Sequence, residues 1–269
     1  MQLKEHNCHK MNLSKLFPGL CFILALSCKS NPERVETPKA PLRNVVFIIG
    51  DDHATGVLGC YGNKIVRTPN LDRLASESVL FTNAFANSPM CSASRQSILT
   101  GRYPHEAGVT LLRTSFPEEQ YTIAEHLQKY NFSTAIIGKN HFNNGLSHGF
   151  DQVIGRREWH QEMENREPRT IPDSIQVRPP WKPFRDHARI WLNSETLPGP
   201  YYDEDSYSSY FTRKACQFIE QNVDQRFCLW LDYNEPHCPC NFPIEFSGKY
   251  DPMDMPLPNG SPEDDRWGT

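Results

Sequence analysis

Three short apolar runs stand out along the chain. They cover residues 44–50, 133–137 and 227–233, and polar or turn-forming residues bound each of them. Continuous apolar runs of this length, rich in β-branched side chains, are typical of buried strands in a parallel sheet. We therefore predict an α/β fold with a largely parallel central sheet flanked by helices.

Helical patterns fill the intervals between these runs. Residues 68–75 begin with a capping threonine followed by a proline at the first helical position, which predicts a helix. Residues 122–130 and 206–223 carry apolar side chains at helical spacing, which predicts two more helices. Residues 79–85 are predicted to form a further strand that leads the chain towards Cys91.

A further short helix is predicted to begin at Cys91 and to end before Gly101. Ile98 and Leu99 are expected to form its buried side. The unpaired N–H groups at its start favour an anion near Cys91. Arg95, one turn further on, would lie on the same face and add a fixed positive charge.

Polar side chains follow each of the three predicted strands. Asp51 and Asp52 come directly after the first, Lys139 and His141 after the second, and His237 after the third. Ligands of open α/β sheets bind outside the carboxyl ends of the strands, so the paired carboxylates are candidates for binding a hard cation. Taken singly, each group could equally be a solvated loop residue.

The segment Cys91–Arg95, followed by Leu99–Arg102, resembles the signature of the type I, formylglycine-dependent sulfatases of the alkaline phosphatase superfamily. Further motifs resemble that family in the same order from residue 44 to about residue 256. The resemblance implies that a maturation enzyme oxidises Cys91 to formylglycine, whose hydrated aldehyde attacks a sulfate ester. It also implies a sulfated substrate, with a carbohydrate as the first expectation.

The resemblance assigns roles to the residues at the strand ends. Asp51, Asp52 and the modified Cys91 would bind a metal ion, usually Ca²⁺, with Mg²⁺ as the alternative. Arg95 would orient the nucleophile, and Lys139 would stabilise negative charge on the sulfate.

Two histidines complete the catalytic set that the resemblance implies. His141 would accept the proton that drives sulfate elimination, and His237 would protonate the leaving alkoxide. Residues 152–205 show little periodicity and are expected to form loops of the kind that bind substrate.

The family's second metal-ligand pair and a late catalytic lysine are expected beyond the matched motifs. We therefore expect residues 43–269 to be the amino-terminal portion of a catalytic domain that is truncated at its carboxyl end. Little activity is expected from this portion alone.

The amino-terminal residues carry an export pattern. Residues 11–28 are mostly apolar and carry Lys15 near their start. This run is too short to span a membrane, so residues 1–28 are predicted to be an export signal. The end of this run resembles a bacterial lipoprotein box at Cys28, and residues 29–42 would then be a tether. We expect an exported protein, periplasmic or anchored by lipid to the outer membrane, with an ordinary secretory signal as the alternative.

Composition and cysteine content narrow the other possibilities. The formal net charge of −4 gives no sign of a polyanion-binding surface, so no nucleic-acid partner is expected. Outside the leader and Cys91, an odd number of cysteines remains at irregular spacing, which predicts mostly buried thiols rather than a disulfide framework; they are Cys60, Cys216, Cys228, Cys238 and Cys240.

Two other functions remain open from the sequence. A phosphodiesterase or phosphonate monoester hydrolase of the same superfamily could share the cysteine signature. A surface lipoprotein could instead keep the fold as a binding module without catalysis.

Overall fold

A computed structural model describes residues 44–179, 197–238 and 240–256, which all belong to one compact unit. The strands of this part are β1 (Asn44–Gly50), β2 (Phe132–Gly138), β3 (Gln152–Ile154) and β4 (Arg226–Tyr233). Its α-helices are α1 (Pro69–Ser76), α2 (Cys91–Thr100), α3 (Ile123–Gln128), α4 (Arg156–Glu164) and α5 (Tyr207–Gln221). Short 3₁₀ helices cover Thr55–Val57, Gly59–Tyr61, Asp203–Asp205, Ile244–Phe246 and Pro252–Asp254. The predicted export signal (1–28) and tether (29–42) lie outside the described residues.

The strands form one sheet in the order β1-β4-β2-β3. Every pairing in it is parallel. The three apolar runs of the sequence form β1, β2 and β4, so the predicted parallel α/β fold is confirmed. Strand β3 was not predicted, because three residues are too few for a periodic pattern.

Helices cover both faces of the two central strands. Ala135 and Ile137 of β2 pack with Leu231 of β4 in a core that includes the apolar side of α5. Ile136 and Trp230 point to the opposite face, where residues of α2 and α3 complete a second core. This alternation follows from the two-residue period of a strand.

Strand β1 was predicted to be buried, and that prediction is wrong for one of its faces. Val46 and Ile48 are 46% and 61% exposed. They lie in register with Leu229 and Leu231, but α5 packs on β2 and β4, and β1 is at the end of the strand order. Burial depends on what lies over the sheet, which an apolar run does not specify.

Helices α1, α3 and α5 form where the sequence predicted them. Residues 79–85 form no strand, contrary to prediction, and their aromatic side chains are largely exposed, with Phe85 at 89%. A strand requires a neighbouring strand to pair with, and none of the described strands runs beside this segment. No helix among the described residues has the length and apolar character needed to cross a bilayer.

The helix at the cysteine motif begins and ends as predicted. It starts at Cys91 and stops at Gly101, whose φ of 69° is a left-handed conformation that glycine adopts without strain. Leu99 is buried as expected, but Ile98, which was predicted to be buried, is 49% exposed. Polar residues share the buried side of α2: Ser92, Arg95, Gln96 and Ser97 are buried as well.

The thiols outside α2 are less buried than predicted. Only Cys228 among them is fully buried, and that burial raises its pKa to about 11. Cys60 and Cys238 are half-buried, whereas Cys216 and Cys240 are exposed. The two exposed thiols lie on the outer side of α5 and in a loop, positions that cysteine spacing alone does not reveal.

Candidate active site

The carboxyl ends of β1, β2 and β4 meet at one edge of the sheet. In register, Gly50 of β1 pairs with Tyr233, and Gly138 of β2 pairs with Asp232. A Cβ atom on Gly138 would lie 1.9 Å from the carbonyl oxygen of Asp232, so only glycine allows this close approach. The next residue, Lys139, donates its backbone N–H to that oxygen at 2.9 Å, which fixes the start of the loop after β2.

Arg95 connects the cysteine helix to two of the strand ends. Its Nε and Nη2 donate to the two carboxylate oxygens of Asp232 at 2.7 and 2.6 Å. Its Nη1 donates to Asp51 Oδ1 at 3.3 Å and to the backbone oxygen of Cys91 at 3.2 Å. Burial lowers the pKa of Arg95, but the bonds to Asp232 outweigh it and raise that pKa above its ordinary value. The guanidinium is therefore a permanent cation, 4% exposed, beneath Cys91.

Asp232 is a site residue that the sequence analysis missed. It is fully buried, and the indole N–H of Trp230 adds a third bond to its carboxylate at 3.2 Å. Burial raises the pKa of Asp232, and the bonds from Arg95 oppose that shift. A signal was available: an acidic residue near the end of an apolar strand needs a buried cation as its partner.

Asp51 lies between two cations. It is 4% exposed, and Arg95 and the Nζ of Lys139 each bond to one of its oxygens. Burial alone would raise the pKa of Asp51, but the hydrogen bond from Lys139 and the charge of Arg95 outweigh it and lower that pKa. The carboxylate is ionised in the form that a metal ion requires.

His141 follows Lys139 into the same site with a left-handed backbone conformation, φ 56°. Its Nδ1 is buried and has no hydrogen-bond partner among the described residues. Burial, together with the charges of Lys139 and Arg95, lowers the pKa of His141 to about 4. The imidazole is therefore neutral at pH 7 and can accept a proton.

His237 and Asp52 lie at the more exposed side of the site. His237 Nδ1 donates to the backbone oxygen of Cys238 at 2.6 Å, and its Nε2 is 3.6 Å from Asp52 Oδ2. The Asp52 side chain is 61% exposed and has a positive φ of 57°. The loop after β4 thus turns the imidazole of His237 back towards the end of β1.

A cavity of about 860 Å³ lies over these groups. Four predicted catalytic residues line it together: Cys91, Lys139, His141 and His237. Arg95 lies beneath Cys91 rather than in the cavity wall. Other lining residues come from α4 and the start of α5, so the stretch predicted to form loops in fact contributes a helix, α4, to the cavity.

Three side chains could hold a metal ion together. Asp51, Cys91 and His237 each offer one ligand atom, and these atoms lie within 4.8 Å of one another. Asp52 was predicted as a ligand but is not part of this group; it lies next to His237 instead. This set fits a divalent cation, because the Asp51 carboxylate is ionised and an imidazole nitrogen of His237 lies within 4.8 Å of it.

Comparison with known proteins identifies the family. The family model described as "Sulfatase" matches residues 43–261. The N-acetylglucosamine-6-O-sulfatase of Bacteroides thetaiotaomicron is 31% identical, over 85% of this chain and 36% of the relative. The ulvan-active sulfatase of Formosa agariphila is 30% identical, over 88% of this chain and 44% of the relative.

A solved structure has a similar fold. The phosphonate monoester hydrolase of Agrobacterium radiobacter superposes with a TM-score of 0.65 at 19% identity, covering 80% of this chain and 45% of that one. At this identity the likeness concerns the fold alone. The chain spans less than half the length of each of these three relatives. Since the family model covers most of its residues, the chain belongs to the sulfatase family, in the alkaline phosphatase superfamily.

Proposed function

We propose that this chain forms the part of a sulfatase that holds the nucleophile, and that the protein hydrolyses sulfate esters of carbohydrates. The observation that carries the proposal is the position of Cys91. It begins α2, where unpaired N–H groups favour an anion, and it shares one cavity with Lys139, His141 and His237.

The chemistry explains why an unmodified cysteine would not be enough. A thiolate that attacked a sulfate ester would remain blocked by a stable sulfur adduct. Formylglycine made from Cys91 supplies a hydrated aldehyde, with one hydroxyl for attack on sulfur and a second for release of sulfate. We propose a formylglycine-generating maturation enzyme as the partner that makes it.

Two positively charged residues near Cys91 suit two separate tasks. Arg95 holds the backbone of residue 91 from below and fixes the orientation of the nucleophile. Lys139 places a positive charge where negative charge develops on the sulfate oxygens. Both cations are already in position before substrate binds, because Asp51 and Asp232 hold them.

The two histidines have different environments that match different roles. His141 is neutral at pH 7, since its pKa is lowered to about 4, and so it is suited to accept a proton during sulfate release. His237 lies on the opposite, more exposed side and is proposed to protonate the leaving alkoxide. One buried and one more exposed imidazole are thus available on the two sides of the site for the two proton transfers.

A divalent cation is proposed to bind Asp51, Asp52 and residue 91, with Ca²⁺ first and Mg²⁺ as the alternative. When bound, such an ion lowers the pKa of a coordinated hydroxyl and withdraws charge from a sulfate oxygen. Asp52 would approach the group formed by Asp51, Cys91 and His237 by a rotation of its exposed side chain.

The cellular setting is proposed from the sequence and the relatives. Two relatives that match most of this chain are named for a sulfated sugar and for ulvan, which supports a sulfated carbohydrate as substrate. The apolar run at residues 11–28 supports export, with lipidation at Cys28 as the anchor and a periplasmic or outer-membrane location.

The first test is mass spectrometry of the tryptic peptide that spans residues 74–95. After co-expression with a formylglycine-generating enzyme, we expect this peptide to carry the aldehyde at position 91. The peptide of residues 215–226 contains the exposed Cys216 and serves as the internal control, expected to keep its thiol. A thiol at Cys91 under these conditions would contradict catalysis and favour a binding role.

The second test separates sulfate from phosphate chemistry. Isothermal titration calorimetry with glucosamine 6-sulfate and glucosamine 6-phosphate compares the two esters on one sugar. We expect the sulfate ester to bind more tightly, because the neutral His141 and the paired Lys139 leave few free charges for a phosphate dianion. Tighter binding of the phosphate ester would contradict the sulfatase assignment and favour a phosphohydrolase of the same superfamily.

A further inference from the structure

The cavity is larger than a single sulfate group requires. A volume of about 860 Å³ is in the range of sites that take a whole small molecule. Beyond the groups around Cys91, three arginines line it: Arg156, Arg166 and Arg169. Their partners decide whether they can bind a ligand.

Two of these arginines already form ion pairs with carboxylates. Arg166 is paired with Glu162 at 3.0 Å and with Asp205 at 2.8 Å. Arg169 is paired with Glu204 at 3.1 Å and lies over the ring of Tyr202. Their charges hold the segment before α5 against α4, so they contribute little free positive charge to the cavity.

Arg156 differs from both. Among the described residues, no carboxylate lies within ion-pair distance of its guanidinium. Its guanidinium carbon lies 5.0 Å above the ring of Tyr207, whose centroid is 4.2 Å from that of Trp159. The indole N–H of Trp159 donates to the backbone oxygen of Asp205 at 2.9 Å, which fixes the Trp159 ring. The rings of Trp159 and Tyr207 together form an aromatic platform next to the guanidinium.

A guanidinium carries five N–H donors in one plane, and its side-chain hydrogen bond to Tyr207 uses only part of them. That geometry matches the paired oxygens of a sulfate or a carboxylate. The half-buried rings of Trp159 and Tyr207 also line the cavity and offer apolar surface to a sugar ring. The position of Arg156 in the same cavity as Cys91 means that one ligand could reach both.

We propose that Arg156, on the Trp159–Tyr207 platform, binds a second oxyanion of the substrate, a sulfate or a carboxylate other than the one at Cys91. This inference rests on the proposed function, since it concerns the substrate of the same cavity. It specifies the substrate class as a carbohydrate with at least two negative groups.

The test uses isothermal titration calorimetry on the full chain with three ligands: glucosamine 6-sulfate, glucosamine 2-N,6-O-disulfate, and a disaccharide of a hexuronic acid with glucosamine 6-sulfate. We expect at least one dianionic ligand to bind about tenfold more tightly than the monosulfate, which corresponds to about 1.4 kcal/mol. A gain for the disulfate alone identifies a second sulfate, and a gain for the disaccharide alone identifies a carboxylate.

The substitution Arg156→Gln should remove this preference and leave binding of the monosulfate unchanged. Arg157→Gln is the matched control, because Arg157 is adjacent and exposed but pairs with Glu158 and does not line the cavity. Circular dichroism checks that both variants fold. Arg156→Lys should give an intermediate preference, since a lysine keeps the charge and loses the planar donor pair.

Four outcomes would overturn the proposal in distinguishable ways. If wild type binds the monosulfate but shows no preference, or if Arg156→Gln keeps the preference, the inference fails and the proposed function stands. If Arg157→Gln loses the preference as well, the effect is one of general charge and the inference again fails. If no sulfated ligand binds wild type, both the inference and the proposed function fail for this chain.

Discussion

The side of the cavity that carries Cys91 and the side formed by α4 are held together differently. On the first, Arg95 is 4% exposed and bonds to Asp232, which is fully buried. On the second, the ion pairs of Glu162 and Arg166 have side chains about a third exposed. The same kinds of charge are therefore isolated from water on one side and hydrated on the other.

This difference has an energetic consequence. A buried charge that loses its partner retains its full desolvation cost, whereas an exposed charge is solvated again. The side around Cys91 is therefore rigid and intolerant of substitution, as a set of reacting groups requires. The α4 side can change without unfolding the chain, which suits the part of a site that selects among substrates.

The largest effect is expected from Asp232→Ala. The change leaves Nε and Nη2 of the buried Arg95 guanidinium without partners, and only Nη1 keeps its bonds to Asp51 and to the backbone oxygen of Cys91. The free energy of unfolding should therefore fall by about 3–5 kcal/mol. Urea unfolding followed by circular dichroism measures it. Asp224→Ala removes an exposed carboxylate as the control and should have little effect. If Asp232→Ala lowered the free energy of unfolding only slightly, the ion pair of Arg95 with Asp232 would not be what holds the Cys91 side of the cavity together.

A smaller effect is expected from the pH dependence that His141 confers. The folded pKa is about 4 and the ordinary value is 6.5, so between these values the unfolded chain binds a proton that the folded chain does not. Stability should therefore fall as pH is lowered from about 6.5 to 4. His141→Asn should reduce this fall, and asparagine tolerates the left-handed backbone at this position.

Urea unfolding at a series of pH values between 4 and 7 gives, for each variant, the slope of the free energy of unfolding against pH. His105→Asn is the control, because His105 is exposed and lies outside the cavity. Equal slopes for wild type and His141→Asn would show that burial does not change the titration of His141. The contrast between the buried Cys91 side and the hydrated α4 side would then not extend to this residue.

On the Cys91 side of the cavity, the sequence analysis predicted some of the site residues and missed one. Cys91, Lys139 and His237 could be placed at one sheet edge because each follows a recognisable apolar run or begins a short helix, and parallel strands bring their carboxyl ends together. Asp232 escaped notice because it lies inside such a run, where its partner is 137 residues away along the chain. Local patterns do not specify which buried cation meets it.

Other features depend on contacts that no local pattern encodes. The exposure of Val46 depends on what covers the sheet, and the exposure of residues 79–85 on the absence of a described strand that pairs with them. Whether Arg156 has an ion-pair partner depends on which carboxylates approach it in space, and none of the described ones does. By contrast, the positions of α2 and its stop at Gly101 follow from residues within one turn, and these were predicted correctly.

The smallest effect is expected from Glu162→Gln on the α4 side. Glu162 accepts from Arg166 at 3.0 Å and from Arg213 and Lys214 at 3.2 Å each. These cations keep other partners or return to water, so the loss in free energy of unfolding should be about 1 kcal/mol or less. The loss should also shrink when salt is raised, because exposed pairs are screened. A loss of unfolding free energy as large as that of Asp232→Ala, and independent of salt, would mean that equally buried charges hold both sides of the cavity. The contrast between a fixed side around Cys91 and an adaptable α4 side would then be wrong.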